Sequence, residues 1–254
     1  ILRSMSKQQS LKILGVITAR GGSKGIPRKN IKELRGKPLI LYTIETAQNA
    51  GIFDRLILST DDPEIAFVAK QYGVEVPFIR PAQLAQDNIP HLPVLEHAVS
   101  WLKENQNYWP DAVMLLQPTA PLRRVKHVTE ALDLFVKSGA DSVVSVSQIP
   151  GHFSPYWAVV MDGTGLGRLF TGEPVRDRIG RRQDFPKETY FHNGAIYLFK
   201  PELLFDPGGS NFYGEKVVVY PMEAKYSINI DGSDDWFLAE LALERLTSEE
   251  ATIQ

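Results

Sequence analysis

Over residues 11–150, short runs of β-branched and aliphatic residues alternate with longer amphipathic stretches. Ile13-Leu14-Gly15-Val16-Ile17 reads as a buried strand, and Pro38 to Asn49 as a helix closed by Ala50-Gly51. Arg55-Leu56-Ile57-Leu58-Ser59 predicts a second strand, followed by a helix opening near Asp62-Pro63 with proline in its first turn. Val74 to Ile79 predicts a short third strand, and Pro93 opens a helix with Leu95, Val99 and Leu102 on one face. Ala112-Val113-Met114-Leu115-Leu116 is apolar throughout, as a central parallel strand should be. A helix over Val125 to Lys137 and a strand over Ser142 to Val146 complete this half.

Strands alternating with helices imply βαβ units, hence a mostly parallel α/β sheet with right-handed crossovers. Ligands of such sheets bind outside the carboxyl ends of the strands. The residues after Ile17, Leu58, Leu116 and Val146 are therefore the places to look.

The pattern changes near Pro150. Residues 151–191 carry Gly, Pro, aromatics and Arg176, Arg178, Arg181 and Arg182 without a clear period, and read as an inserted arm. Strands resume at Gly194 to Phe199 and Lys216 to Tyr220, with a last one at Ser227 to Asp231. Asp234 to Leu246 is an amphipathic helix with Ser233 as its N-cap. The main domain thus comprises residues 11–150 and 192–247.

Composition narrows the classes. The 254 residues correspond to about 1.7 average domains, one α/β domain plus an appendage. The absence of cysteine excludes a disulfide scaffold, thiolate metal sites and a thiol nucleophile. A net charge of -2 gives no global attraction to nucleic acid, so anion binding needs a local cluster of cations. No run approaches the ~18 apolar residues of a membrane span. Residues 1–10 do not begin with Met and lack the apolar core of a signal peptide, so they read as an expression scar or a disordered start, and the expected location is cytoplasmic.

That local cluster is the loop Ala19-Arg20-Gly21-Gly22-Ser23-Lys24-Gly25-Ile26-Pro27-Arg28-Lys29-Asn30, with three glycines, four cations and no acid. Glycines let backbone amides approach a ligand, and concave amides with lysines suit phosphate. Neither Gly21 nor Gly22 has glycine five positions on, so it is not a Walker A loop, nor is it G-x-G-x-x-G.

The loop resembles the signature of the acylneuraminate cytidylyltransferases, the CMP-sialic acid synthetase family. Ser59-Thr60-Asp61, Arg80-Pro81-Ala82-Gln83-Leu84-Ala85, Leu115-Leu116-Gln117-Pro118-Thr119-Ala120-Pro121-Leu122-Arg123, Asn193-Gly194-Ala195-Ile196-Tyr197 and Ile228-Asn229-Ile230-Asp231 follow in the family's order, spanning residues 13–245. The resemblance implies a Rossmann-like nucleotidyltransferase fold, with helices on both faces and the 151–191 arm used for homodimerisation. It also implies transfer of CMP from CTP to a nine-carbon 2-keto-3-deoxy sugar acid, with release of pyrophosphate and support from Mg²⁺. The partners expected are these small molecules and a second copy, with no nucleic acid or membrane.

On this resemblance Arg20, Lys24, Lys29 and Gln117 are catalytic, and Ala19, Arg20, Gly21, Gly22, Ser23, Lys24, Asn30 and Arg80 hold the nucleotide. Gln117, Arg182 and Asn193 meet the sugar, with a capping amide as the other reading of Gln117 and a solvated or interfacial arginine as that of Arg182. Arg182-Gln183-Asp184-Phe185-Pro186 resembles the family segment whose arginine meets the sugar carboxylate, for which a guanidinium fork is suited. An aromatic-rich arm (Phe153, Tyr156, Trp157, Phe170) fits burial against another subunit. For the metal the family has Asp at both positions 229 and 231; here Asp231 is the ligand and Asn229 brings only a carbonyl, so a strand-end amide bonded to backbone is an equal reading. Asp61 is set aside as a helix cap, and His192 as a structural histidine rather than a base.

Two rivals stand beside this reading. Enzymes for the eight-carbon acid 3-deoxy-manno-octulosonate carry an acidic Gln-Gly-Asp-Glu-Pro segment where this chain has Gln117-Pro118-Thr119-Ala120-Pro121, which favours the nine-carbon class. A non-catalytic nucleotide-binding subunit, weakened in metal binding by Asn229, is the other.

Overall fold

The computed structural model describes residues 11–253, with side chains as far as Glu249; the reading of residues 1–10 lies outside the described residues. In chain order the elements are β1 (Ile13–Thr18), β2 (Glu33–Leu34), β3 (Lys37–Pro38), α1 (Leu39–Ala50), β4 (Arg55–Ser59), α2 (Pro63–Gln71), α3 (His91–Gln106), β5 (Ala112–Leu116), α4 (Val125–Ser138), β6 (Ser142–Gln148), β7 (Val159–Met161), β8 (Gly167–Leu169), β9 (Tyr190–Phe199), β10 (Val217–Met222) and α5 (Ser233–Ile253).

The main sheet runs β10-β6-β9-β5-β1-β4, parallel except for β9, which pairs antiparallel with both β5 and β6. β1 and β5 are buried along their whole lengths, which is why they carry no polar alternation. Their side chains point to opposite faces in turn. Ile13, Ile17, Met114 and Leu116 meet α1, α2 and α4, whereas Leu14, Val16, Val113 and Leu115 meet α3 through Leu95, Val99 and Leu102. A third cluster, Ile26, Leu34, Leu39, Leu122, Ile230, Trp236 and Leu243, seats α5 on the glycine-rich loop. The sheet therefore carries helices on both faces, as the sequence predicts.

Three expectations change. Val74 to Ile79 forms no strand; a single parallel bridge of Glu75 to Ile57 is all the pairing it has. Ser227 to Asp231 is also not a strand, because a single backbone-to-backbone bond across to the β5 side, from Ile230 N–H to the Thr119 carbonyl at 2.8 Å, makes no ladder. Ser233 is the first residue of α5 rather than its cap. The Asp235 carboxylate reaches back to the Asp231 and Gly232 amides at 2.9 and 2.8 Å and satisfies the free donors there.

The arm forms as an excursion between β6 and β9: the β7–β8 hairpin and short 3-10 turns at Gly151–Phe153, Val175–Asp177 and Arg182–Asp184. Tyr156 packs at a tilt and Trp157 edge-on against the arm's own Phe185, and Trp157 Nε1 donates to the Ile179 carbonyl at 2.7 Å. These two aromatics thus have their partners within the arm, while Phe153, against His152, and Phe170 stay exposed.

Candidate active site

A cleft of about 270 Å³ opens beyond the carboxyl ends of β1 and β5, lined among others by Thr18, Arg20, Ser23, Lys29, Arg80, Asp87, His91, Gln117 and Asp231. This is the position that strand order dictates for an open α/β sheet.

The glycine-rich loop leaves β1 and is pinned from both sides. Ala19 N–H continues the sheet to the Ser59 carbonyl at 3.1 Å, and Gly21 N–H is taken by Asp61 Oδ1 at 3.0 Å. A Cβ on Gly21 would collide with the Asp62 side chain, and one on Gly25 with the Asp231 carbonyl oxygen. Glycine at these two positions lets the loop lie between the start of α2 and the start of α5. Asn30, nearly buried, donates from Nδ2 to the Arg20 carbonyl at 3.0 Å and fixes the loop's far end.

Asp61 does not cap α2. Asp62 does, accepting from the Glu64 and Ile65 amides, while Asp61 accepts from Arg80 at 3.3 Å as well as from Gly21. Arg80 is 5% exposed, its Nε has no partner, and burial pulls its pKa down. Lys29 donates to the Ile230 carbonyl at 2.8 Å and stands 3.9 Å from Asp231 Oδ1; burial lowers its pKa too, Asp231 opposing. Arg20 pairs with Asp87 at 2.9 Å and with the Gln86 carbonyl at 3.0 Å. Lys24 reaches Asp87 at 2.6 Å, with its side chain 81% exposed.

The cleft therefore gathers Arg20, Gly22, Ser23, Lys29, Asn30, Arg80, Gln117 and Asp231 of the expected residues. Ala19 and Gly21 support it from behind, and Lys24 stands at its edge. Two sugar-binding expectations fall elsewhere. Asn193 is 1% exposed, and its amide is consumed by Ser145 Oγ, Ser227 Oγ, Met222 Sδ and the Ala195 amide; it is a core residue holding β9 to β6 and to the 227–231 segment. Arg182 lines a separate cleft of about 790 Å³ between the arm and the β6 and β10 ends, with Gln148, Ser154, Tyr190 and Glu223. His192 is exposed beside Tyr197 and Tyr213, outside the cleft.

Asn229 Oδ1 is buried without a partner, its Nδ2 lies 3.4 Å from Asp231 Oδ2, and the Asp231 side chain is 79% exposed. An orphaned amide oxygen beside an exposed carboxylate is a hard-oxygen donor pair of the kind Mg²⁺ takes together with phosphate oxygens. Among the described residues no group of three or more His, Asp or Glu side chains stands ready to hold a metal alone, so such a pair depends on the ligand to complete it.

Sequence reasoning missed Asp87, Thr18 and His91. Asp87 lies two residues past the quoted Arg80-to-Ala85 motif, and His91 is a lone histidine at a helix start. Nothing in their local pattern marks either one; contacts across the sheet edge do.

The chain matches the family described as Cytidylyltransferase over residues 14–248. It is 45% identical over 208 residues to the pseudaminic acid cytidylyltransferase of Campylobacter jejuni, covering 80% of this chain and 87% of that protein. It is 34% identical to the CMP-N,N'-diacetyllegionaminic acid synthase of Legionella pneumophila, covering 92% and 97%. It spans about half, 52%, of the length of the Danio rerio N-acylneuraminate cytidylyltransferase A, at 36% identity. A solved structure of CMP:2-keto-3-deoxy-manno-octonic acid synthetase complexed with CTP shares the fold at a TM-score of 0.68 and 17% identity, over 92% of this chain and 99% of that one. A family match running nearly end to end, over a sheet-edge cleft lined with cations, leaves one conclusion: the chain belongs to the cytidylyltransferase family.

Proposed function

We propose that this protein transfers CMP from CTP to a nine-carbon 2-keto-3-deoxy sugar acid of the sialic, legionaminic or pseudaminic type, releasing pyrophosphate. The observation that carries this reading is the convergence of Arg20, Lys29 and Arg80 with Gln117 in one cleft at the strand ends. The names of the relatives support the nine-carbon class.

In the reaction the sugar's anomeric hydroxyl oxygen forms a bond to the α-phosphorus of CTP and gives up its proton to solvent water, the α–β phosphoanhydride bond breaks, and the pyrophosphate leaves with its electron pair. Catalysis of this step is positioning plus neutralisation of developing charge. Arg20, Lys24 and Lys29 neutralise the triphosphate, with Ser23 and the Gly22 amide as hydrogen-bond donors. Arg80, with its unpaired Nε, holds the cytosine nucleotide. Gln117 meets the sugar acid, whose carboxylate and hydroxyls require amide donors and acceptors. Asp231 and the Asn229 carbonyl would hold Mg²⁺, which when bound supplies charge stabilisation of the leaving pyrophosphate. Arg182 would reach a sugar carboxylate only across an assembly, which fits a homodimer built on the arm. The expected location is cytoplasmic; no helix among the described residues is long and apolar enough to cross a membrane.

Pyrophosphate release from CTP and Mg²⁺ tests this, with N-acetylneuraminic, N,N'-diacetyllegionaminic, pseudaminic and 3-deoxy-manno-octulosonic acids compared by kcat/KM. Turnover with one of the three nine-carbon acids is expected. Preference for the eight-carbon acid, or CTP binding with no turnover of any, would replace the reading by one of its rivals.

A further inference from the structure

His91, the first residue of α3, projects into the cleft between two segments it does not adjoin in sequence. Its Nε2 lies 3.0 Å from Gln117 Nε2, just beyond β5, and its Nδ1 lies 3.4 Å from Thr18 Oγ1 at the end of β1. An amide nitrogen only donates, so His91 Nε2 accepts; the ring proton then sits on Nδ1 and is donated to Thr18. On its other side Gln117 Oε1 accepts from Thr119 Oγ1 at 3.5 Å and abuts Gly194, where a Cβ would stand 3.1 Å away. Gln117 is thus held at both ends of its amide.

We infer that His91 is a positioning residue: docked on Thr18, it fixes the amide plane of Gln117 so that this side chain meets the sugar acid in one orientation. The inference rests on the reading of Gln117 as the sugar contact. It requires a neutral imidazole with a lone pair on Nε2. Burial, with Arg80 and Arg20 on the nucleotide side, lowers the pKa of His91 and keeps it neutral. Those two arginines are themselves paired with Asp61 and Asp87, and among the described residues the ring's hydrogen-bond partners are Thr18 and Gln117, neither of them acidic. Pre-orienting a polar side chain removes the cost of ordering it when the ligand arrives.

Steady-state kinetics with CTP and pseudaminic acid, or whichever acid of the panel turns over, tests this. His91→Leu is expected to raise KM for the acid about tenfold while leaving KM for CTP within about twofold and the melting temperature within about 2 °C. His91→Gln, whose Oε1 can stand near the Nε2 position as an acceptor, is expected to recover most of the loss. The double variant His91→Leu/Gln117→Ala should be no worse than Gln117→Ala alone, because the two act through one contact. An unchanged acid KM in His91→Leu, no recovery in His91→Gln, a selective rise in KM for CTP, or multiplying effects in the double variant would overturn the inference. If Gln117→Ala itself leaves the acid KM unchanged, the reading of Gln117 fails and the inference with it. If only Gln117→Ala raises it, Gln117 stands and His91 does not.

Discussion

Asp87 already occupies two of the cations that a triphosphate needs. Its carboxylate pairs with Arg20 at 2.9 Å and Lys24 at 2.6 Å, and the hydrogen bond from Lys24 is the main reason its pKa is held down. A phosphate entering the glycine-rich loop must displace that carboxylate. Lys24 and Asp87 are exposed and Arg20 is half-exposed, so solvent screens both pairs and each contributes little. Asp87→Asn is therefore expected to tighten CTP binding by no more than about fivefold. Its affinity should also fall more steeply with added salt, since less of the cationic charge is neutralised internally. Isothermal titration at two salt concentrations decides the matter: weaker binding by the variant would mean that Asp87 assists the nucleotide instead of competing with it.

At the scale of elements, the loop and α4 each depend on one residue that ties a terminus down. Gly25 lies against the Asp231 carbonyl, so Gly25→Ala must push the loop away from the segment that carries the candidate metal pair. A loss in kcat/KM of about a hundredfold with α5 still folded is expected, since a displacement of about 1 Å in positioned groups costs that much. Full activity in Gly25→Ala would detach the loop from that segment. At the start of α4, buried His127 accepts from the Arg124 amide at 3.1 Å through Nδ1, which only a neutral ring can do. Burial, with Lys126 adding, pushes its pKa from 6.5 down to about 4. The unfolded chain thus binds the extra proton between those values, so stability present above pH 6.5 is lost as pH falls towards 4, by about 3 kcal/mol. Urea unfolding at neutral pH and near pH 4 should show the wild type losing that much more than His127→Gln. Equal losses would remove His127 from the pH response.

These elements also show what the chain's pattern conveys and what it hides. Fully apolar β1 and β5 and the loop between β1 and α1 are legible because burial on both faces leaves no other use for such runs. Val74 to Ile79 and Ser227 to Asp231 share the composition of strands, but each has only a single backbone bridge or bond to the sheet or its neighbour, and pairing partners are invisible to local pattern. Asn193 sits in a motif, yet the motif's polarity is spent inside, on Ser145 and Ser227. The Asp87 and His91 contacts join residues 26 to 73 positions apart, and only the folded sheet edge brings them together.

For the whole molecule the open question is what covers the arm. All three residues of β7 are exposed, and Phe153, Met161, Leu166 and Phe170 are each about two-thirds exposed or more. A two-stranded hairpin is marginal by itself, and large apolar side chains left exposed together on one excursion suit an interface. A second copy of the chain is the occupant proposed above, because a self-complementary patch related by a two-fold axis closes without leaving an edge. Arg182 lines the cleft at the base of the same arm. Sedimentation equilibrium at micromolar concentration is expected to give about twice the 28.5 kDa of one chain. Met161→Asp combined with Phe170→Glu should halve that mass without changing the far-ultraviolet circular dichroism, since neither side chain belongs to the buried core. If the arm completes the active site, the same double variant should lose turnover while retaining CTP binding, because the nucleotide cleft lies entirely within one chain. A monomeric wild type would sink the dimer, and a fully active monomeric variant would sink the arm's part in the chemistry.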